Sequence, residues 1–204
     1  TFFDKLIIPE HTYSFYPVYC DYYGIELEKI PLNSDFTINK ELMLEKAKSA
    51  SGMIFANPNA PTSLSLSNDE IRTMLKNYPK DKVFVVDEAY VDFGTESALS
   101  LLKDYKNLLV VRTFSKSICL AGMRIGYTVG NPELIKALTL VKNSFNHFPV
   151  DVICKTAAIA ALKSYEYYEK ITTEIVKTRE WFSQELSKKG YSVIPSKTNF
   201  IFVN

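Results

Sequence analysis

The sequence predicts an α/β protein. A mostly parallel sheet covered by helices in three layers is followed by the start of a smaller α+β unit. Three observations predict it. Short, wholly apolar runs at Met53–Ala56, Val83–Val86 and Leu108–Val111 read as strands buried on both faces. Helical stretches lie between strands, so the strands run parallel and their connections are crossovers. From Val150 to Lys189 the pattern is helical almost throughout, and two more strand-like runs follow it.

Taken in order, Lys5–Pro9 is an apolar run closed by proline, a strand passing into a loop. Tyr13–Tyr16 opens a helix that runs to Tyr23, where Gly24 ends it. Ile25–Ile30 alternates apolar and charged residues, as an edge or half-buried strand does. Leu42–Ala50 is helical in pattern, and Met53–Ala56 then runs into the turn Asn57-Pro58-Asn59-Ala60-Pro61-Thr62. Ser67-Asn68-Asp69-Glu70 has the capping-box form, so a helix starts there and ends near Tyr78-Pro79. Val83–Val86 delivers Asp87, Leu108–Val111 delivers Lys116, and Ile125–Val129 is a further strand. Asn131-Pro132 supplies an N-cap and a first-turn proline for a helix to about Lys142. Ile171, Ile175, Phe182 and Leu186 keep the spacing of a long amphipathic helix, and Tyr191–Ile194 and Asn199–Val203 read as strands. We expect a large domain over residues 1–165 and the start of a small one over 166–204.

Composition narrows the function. Net charge is +1 with both signs interspersed and no basic tract, which disfavours nucleic acid and anionic membrane surfaces as partners. No apolar run reaches membrane-spanning length. Cys20, Cys119 and Cys154 are odd in number and far apart, which argues for a reducing cytoplasm over a disulfide framework. With only His11 and His147 and no Cys/His cluster, no metal site is expected. Neither GxxxxGK[ST] nor GxGxxG occurs. Thr1 is not an initiator methionine and the chain ends on a strand-like run, so it is expected to be part of something longer.

The chemistry gathers where strands end, since ligands of open α/β sheets bind outside the carboxyl ends of strands. Past Val111 come two hydroxyls, Thr113 and Ser115, then the amine of Lys116 and, eight positions on, the guanidinium of Arg124. An amine can form a Schiff base with an aldehyde, and hydroxyls with a guanidinium suit a phosphate. Aldehyde and phosphate together describe pyridoxal 5′-phosphate. Singly, Asp87 is a helix cap and Asn57-Pro58 a turn. Together they supply what that cofactor needs: a buried carboxylate for the pyridine nitrogen, and donors for the ring oxygen in Asn57 and Tyr90.

These residues resemble a known family. Pro9–Tyr16, Ala56–Thr62, Val86–Tyr90, Arg112–Lys116, Leu120–Tyr127 and Pro195–Phe200 are similar, in order and interval, to motifs of fold-type-I pyridoxal-phosphate enzymes of the aspartate-aminotransferase superfamily. Within it, the histidinol-phosphate aminotransferases are most similar. The resemblance implies that Lys116 is the catalytic, cofactor-holding lysine and Asp87 the partner of the pyridine nitrogen. It implies Tyr90 and Asn57 for the ring oxygen, Thr113, Ser115 and Arg124 for the phosphate, and Tyr13 for stacking on the ring. Asn146 is implied near the substrate. It further implies a cytoplasmic homodimer in histidine biosynthesis that takes a small-molecule amino donor, L-histidinol phosphate, and a 2-oxo acid, 2-oxoglutarate.

The sequence also departs from the family. Ala60 and Ser63 stand where a second asparagine and a glycine are usual, and His11 replaces a proline. The family's glycine-rich phosphate loop and partner-subunit tyrosine are expected upstream, and its substrate-anion arginines downstream. Two alternatives stay open. One is another chemistry on the same scaffold, a threonine-phosphate decarboxylase or an aromatic aminotransferase. The other is a regulatory domain that senses the cofactor without turnover.

Overall fold

The computed structural model describes residues 3–203. Its elements are β1 (Lys5–Pro9), α1 (Phe15–Tyr23), β2 (Glu26–Ile30), α2 (Lys40–Ala47), β3 (Gly52–Ala56), α3 (Asn68–Asn77), β4 (Val83–Asp87), β5 (Leu108–Thr113), β6 (Gly126–Gly130), α4 (Pro132–Phe145), α5 (Val152–Lys163), α6 (Tyr165–Lys188), β7 (Val193–Ile194) and β8 (Phe202–Val203). Short 3₁₀ turns lie at Val91–Phe93, Ala98–Leu101 and Ala121–Met123. The first six strands form one sheet in the order β2-β1-β3-β4-β5-β6. All of its pairs are parallel except β5 with β6. β7 and β8 pair separately, antiparallel. The chain steps out from β1 to β2 and then returns past β1 to β3, so the winding reverses at β1. Such a reversal opens a crevice at the carboxyl edge of the sheet.

Side chains alternate along each strand, and both faces are covered. Ile7, Met53, Phe55, Phe84 and Val86 point to the face carried by α2 and α3, where Met43, Ala47, Ile71, Met74 and Leu75 meet them. Leu6, Ile8 and Ile54 point to the other face and pack with Tyr16 and Cys20 of α1. This alternation decides where the polar residues after the strands will face.

The helix ends follow local chemistry. Gly24 closes α1 at φ 66°, a left-handed turn that glycine adopts without strain. Ser67 and Glu70 form both bonds of the expected capping box at α3. Asn131 caps α4, with Pro132 in its first turn. α2 begins two residues before the predicted start, because the Asn39 side chain accepts from Leu42 N. The helical stretch after Val150 is two helices broken at Ser164, and β7 and β8 are shorter than the runs that predicted them. Among the described residues no helix is long and apolar enough to cross a membrane.

The turn after β3 carries two cis peptide bonds, Asn57–Pro58 and Ala60–Pro61. Ser63 closes it at φ 64°, fully buried, with its Oγ unpaired among the described residues. Left-handed backbone costs a side-chain-bearing residue about 1–2 kcal/mol, and an orphaned buried hydroxyl about 1–3 kcal/mol. Glycine's extra chain entropy costs only about 1 kcal/mol. Ser63→Gly is therefore expected to raise the unfolding free energy by about 1 kcal/mol or more. A urea midpoint lower than that of the unsubstituted protein would contradict this reading of the turn.

Candidate active site

β4 ends in two consecutive acids that alternation sends to opposite sides. Val86 faces α2 and α3, so Asp87 faces α1. Its Oδ2 accepts a 2.7 Å hydrogen bond from Tyr16 Oη on that helix, and its Oδ1 accepts from Ala89 N at 3.0 Å. Burial raises the Asp87 pKa, while the Tyr16 and Ala89 hydrogen bonds and the Lys116 charge pull it down again. Burial and the neighbouring carboxylate push the Tyr16 phenol far up, so it remains a donor. Glu88 turns the other way and is buried against the turn at Ser97–Ala98.

Tyr16 owes its reach to α1. Tyr13 N-terminal to it presents a ring 47% exposed at the mouth, edge-on to Tyr16 with centroids 5.3 Å apart. The pair thus offers an open aromatic face above and a phenolic donor below.

β5 runs two residues past the predicted end and takes Thr113 into the strand. Thr113 Oγ1 donates to Ser115 Oγ at 2.9 Å and accepts from Ser115 N at 3.1 Å, so the two hydroxyls are held together. The β5–β6 pairing continues through Phe114 N to Ile125 O at 3.1 Å, which brings Arg124 opposite Ser115. Arg124 itself is exposed, at φ 51°, with one guanidinium nitrogen donating to Ala121 O. Lys116 Nζ lies 5.0 Å from the centroid of the Tyr90 ring and near enough to Asp87 to lower its pKa. Tyr90 packs edge-on against Phe200, 5.3 Å between centroids, from the segment before β8.

Two of the predicted residues stand differently. Asn57 donates through Nδ2 to Leu66 O at 3.0 Å and accepts at Oδ1 from Leu66 N at 2.7 Å, and it is 1% exposed. These bonds brace the loop before α3 and use one of the two amide hydrogens, so the second remains a donor. Asn146 is the exposed C-cap of α4, and no hydrogen bond joins it to the other predicted residues among the described ones. Sequence reasoning missed Tyr16. The signal was present in its apolar-face position, three residues after Tyr13, but a tyrosine there also reads as ordinary core.

Asp87, Tyr90, Lys116, Thr113 and Ser115 gather at the carboxyl ends of β4 and β5 as a shelf at the sheet edge, and Tyr13 and Arg124 lie on the segments leading into α1 and β6. The donor set fits a ligand with one anionic end, a basic ring nitrogen facing Asp87 and an electrophilic carbon facing Lys116. Those are the groups of the expected cofactor. An apolar groove of about 810 Å³ between α6 and the segment before β8, lined by Ile171, Ile175, Phe182 and Phe200 among others, includes none of these residues.

Comparison with known proteins gives the family and the fold. Residues 3–204 match the family model described as aminotransferase class I and II. The chain is 49% identical to a histidinol-phosphate aminotransferase of Syntrophus aciditrophicus over 99% of its length, and 48% identical to histidinol-phosphate aminotransferase 1 of Pseudomonas fluorescens over 97%. It spans 57% and 55% of those two relatives, little more than half of each. The crystal structure of histidinol-phosphate aminotransferase from Sinorhizobium meliloti in complex with pyridoxal-5′-phosphate superposes with a TM-score of 0.88 at 28% identity, covering 98% of this chain and 54% of that one.

The buried charge of Asp87 has a consequence for stability. Its folded pKa lies above the ordinary aspartate value, so the folded state holds the proton more tightly and loses stability as pH rises between the two values. Asp87→Asn removes that titration and keeps an acceptor for Ala89 N. In the cofactor-free protein the variant is expected to gain stability relative to the unsubstituted chain between about pH 4 and pH 7. Urea titrations at both pH values check it, and a relative loss at pH 7 would make Asp87 a structural cap.

Proposed function

The chain belongs to the class I and II aminotransferase family, and on that premise we propose that it carries the cofactor-holding residues of a pyridoxal-phosphate-dependent aminotransferase. The amino donor in this reading is L-histidinol phosphate and the acceptor 2-oxoglutarate, a step of histidine biosynthesis. The observation that carries it is Lys116 Nζ standing 5.0 Å from the Tyr90 ring centroid, close enough for its charge to act on the buried Asp87 carboxyl. The identity of 48–49% to histidinol-phosphate aminotransferases over nearly the whole chain favours that donor over the alternatives.

When bound, pyridoxal phosphate supplies an aldehyde carbon for an amine and a ring that draws electron density from the attached amino group. The residues do the rest. Asp87 presents a carboxylate oriented by Tyr16 Oη and Ala89 N, suited to keeping a pyridine nitrogen protonated. Lys116 Nζ would hold the aldehyde carbon and, as general base and acid, would move a proton between the donor's Cα and the cofactor's C4′. Tyr90 offers its phenolic hydrogen to the ring oxygen. Arg124, Thr113 and Ser115 hold the phosphate, and Tyr13 lends its exposed face to the ring. Asn57, which also braces the loop before α3, would offer its second amide hydrogen to the same ring oxygen as Tyr90.

The division at residues 1–165 and 166–204 belongs to the same reading. The six-stranded sheet lies wholly in the first part and β7–β8 in the second. So do the cytoplasmic setting, which the free cysteines Cys20, Cys119 and Cys154 favour, and the working homodimer.

Borohydride reduction of the cofactor-loaded protein is expected to fix the label on Lys116, and Lys116→Ala to abolish both label and amino transfer. Asp87→Asn is expected to lower kcat by about a hundredfold or more. Peptide mapping and a coupled assay with L-histidinol phosphate and 2-oxoglutarate read these. A label on Lys155, Lys163 or any other lysine would overturn the assignment.

A further inference from the structure

We infer that Glu88, Arg112, Asp92 and Ser117 form a charged brace behind the site, and that Asp92, acting through Ser117, is a positioning residue for Lys116. The inference rests on the reading of Lys116 as the cofactor lysine and deepens it.

The brace touches the chain beside three of the residues assigned to the ligand. Glu88 follows Asp87, Asp92 lies two residues past Tyr90, and Ser117 follows Lys116. Glu88, its side chain fully buried, accepts from Ala98 N at 2.5 Å and Ser97 Oγ at 2.6 Å, and its own N–H donates to Val111 O at 2.8 Å. Arg112 on β5 bridges the two acids: Nε lies 3.7 Å from Glu88 Oε2, and Nη2 donates to Asp92 Oδ1. The other oxygen of Asp92, Oδ2, accepts from the Ser117 hydroxyl. Ser117 itself is buried, while the Asp92 side chain stays partly exposed.

Charge counting explains why Ser117 is tied so firmly. Two carboxylates share one guanidinium, and the uncompensated negative charge needs further donors. Ser97 Oγ and Ala98 N serve Glu88, and Ser117 Oγ serves Asp92. A hydroxyl donating to a carboxylate makes a charge-assisted bond, roughly twice as strong as a neutral one. That bond fixes the backbone at Ser117 and with it the root of the flexible Lys116 side chain. A misplacement of about 1 Å at a reacting group can cost about a hundredfold in rate. Arg112, Asp92 and Glu88 all lie on the side of the strand ends away from Asp87 and Tyr16, so they act on the chemistry only through their neighbours.

The test uses the protein with whatever flanking sequence its gene encodes, and three variants: Ser117→Ala, Asp92→Ala and the double. The first readout is the rate at which cofactor-free protein takes up pyridoxal phosphate on Lys116, fixed by borohydride and located by peptide mass. The others are the melting temperature of the cofactor-free protein, and kcat and KM for the amino donor. Ser117→Ala is expected to slow attachment at Lys116 by about tenfold or more and to lower kcat alike, with KM held within about twofold. The double variant should fall no further than the worse single one, because both break the same link. Should Asp92→Ala fail to fold, Ser117→Ala decides alone. A lowered melting temperature with attachment rate and kcat unchanged would make the brace a stability device only and overturn the inference. A label away from Lys116 in the unsubstituted protein would overturn the cofactor reading, and this inference with it.

Discussion

Asp87 carries its charge at the end of a strand covered by helices on both faces, and the neighbouring elements answer the cost of that position. Burial drives its carboxyl toward the protonated form, while Tyr16 Oη, Ala89 N and the charge of Lys116 favour the anion. Each of these comes from a different part of the chain: α1, the turn after β4, and the segment after β5. They converge because parallel strands with crossover helices bring their carboxyl ends to one edge. The winding reversal at β1 leaves that edge open above α1.

The period of two along β4 then separates two electrostatic tasks. Asp87 faces α1 and the open shelf. Glu88 faces inward, where Arg112 and the turn at Ser97–Ala98 compensate it. Burial raises the Glu88 pKa and the surrounding donors and guanidinium oppose that rise. Arg112 is held charged against its own burial by Asp92 and Glu88. One strand end therefore supplies both a carboxylate turned to the shelf and the anchor of the frame behind it.

Much of the architecture was legible because its causes are local. The capping box at Ser67–Glu70, Asn131-Pro132 ahead of α4 and Gly24 after α1 act within one helical turn, and each appears where the residues place it. The apolar runs of β3, β4 and β5 announce strands buried on both faces. Lys116 and Asp87 could be singled out because both follow such runs directly. Asn57 was also singled out on that ground, and its amide additionally ties the chain at Leu66, nine residues away, because the loop folds back on it. Tyr16 escaped for the converse reason. It looks like core from its helix face, and its partner lies 71 residues downstream.

By itself the sequence determined the order of strands and helices, the two-sided burial of the sheet, the caps, and the strand ends after which Asp87 and Lys116 lie. Those depend on periodicity and on residues within a few positions of one another. Only the tertiary structure decided which partners these polar atoms find: Tyr16 beneath Asp87, Asn57 against Leu66, and Arg112 between Glu88 and Asp92. A buried polar group must find a partner somewhere, and which partner it finds is set by packing between distant segments that no local pattern encodes.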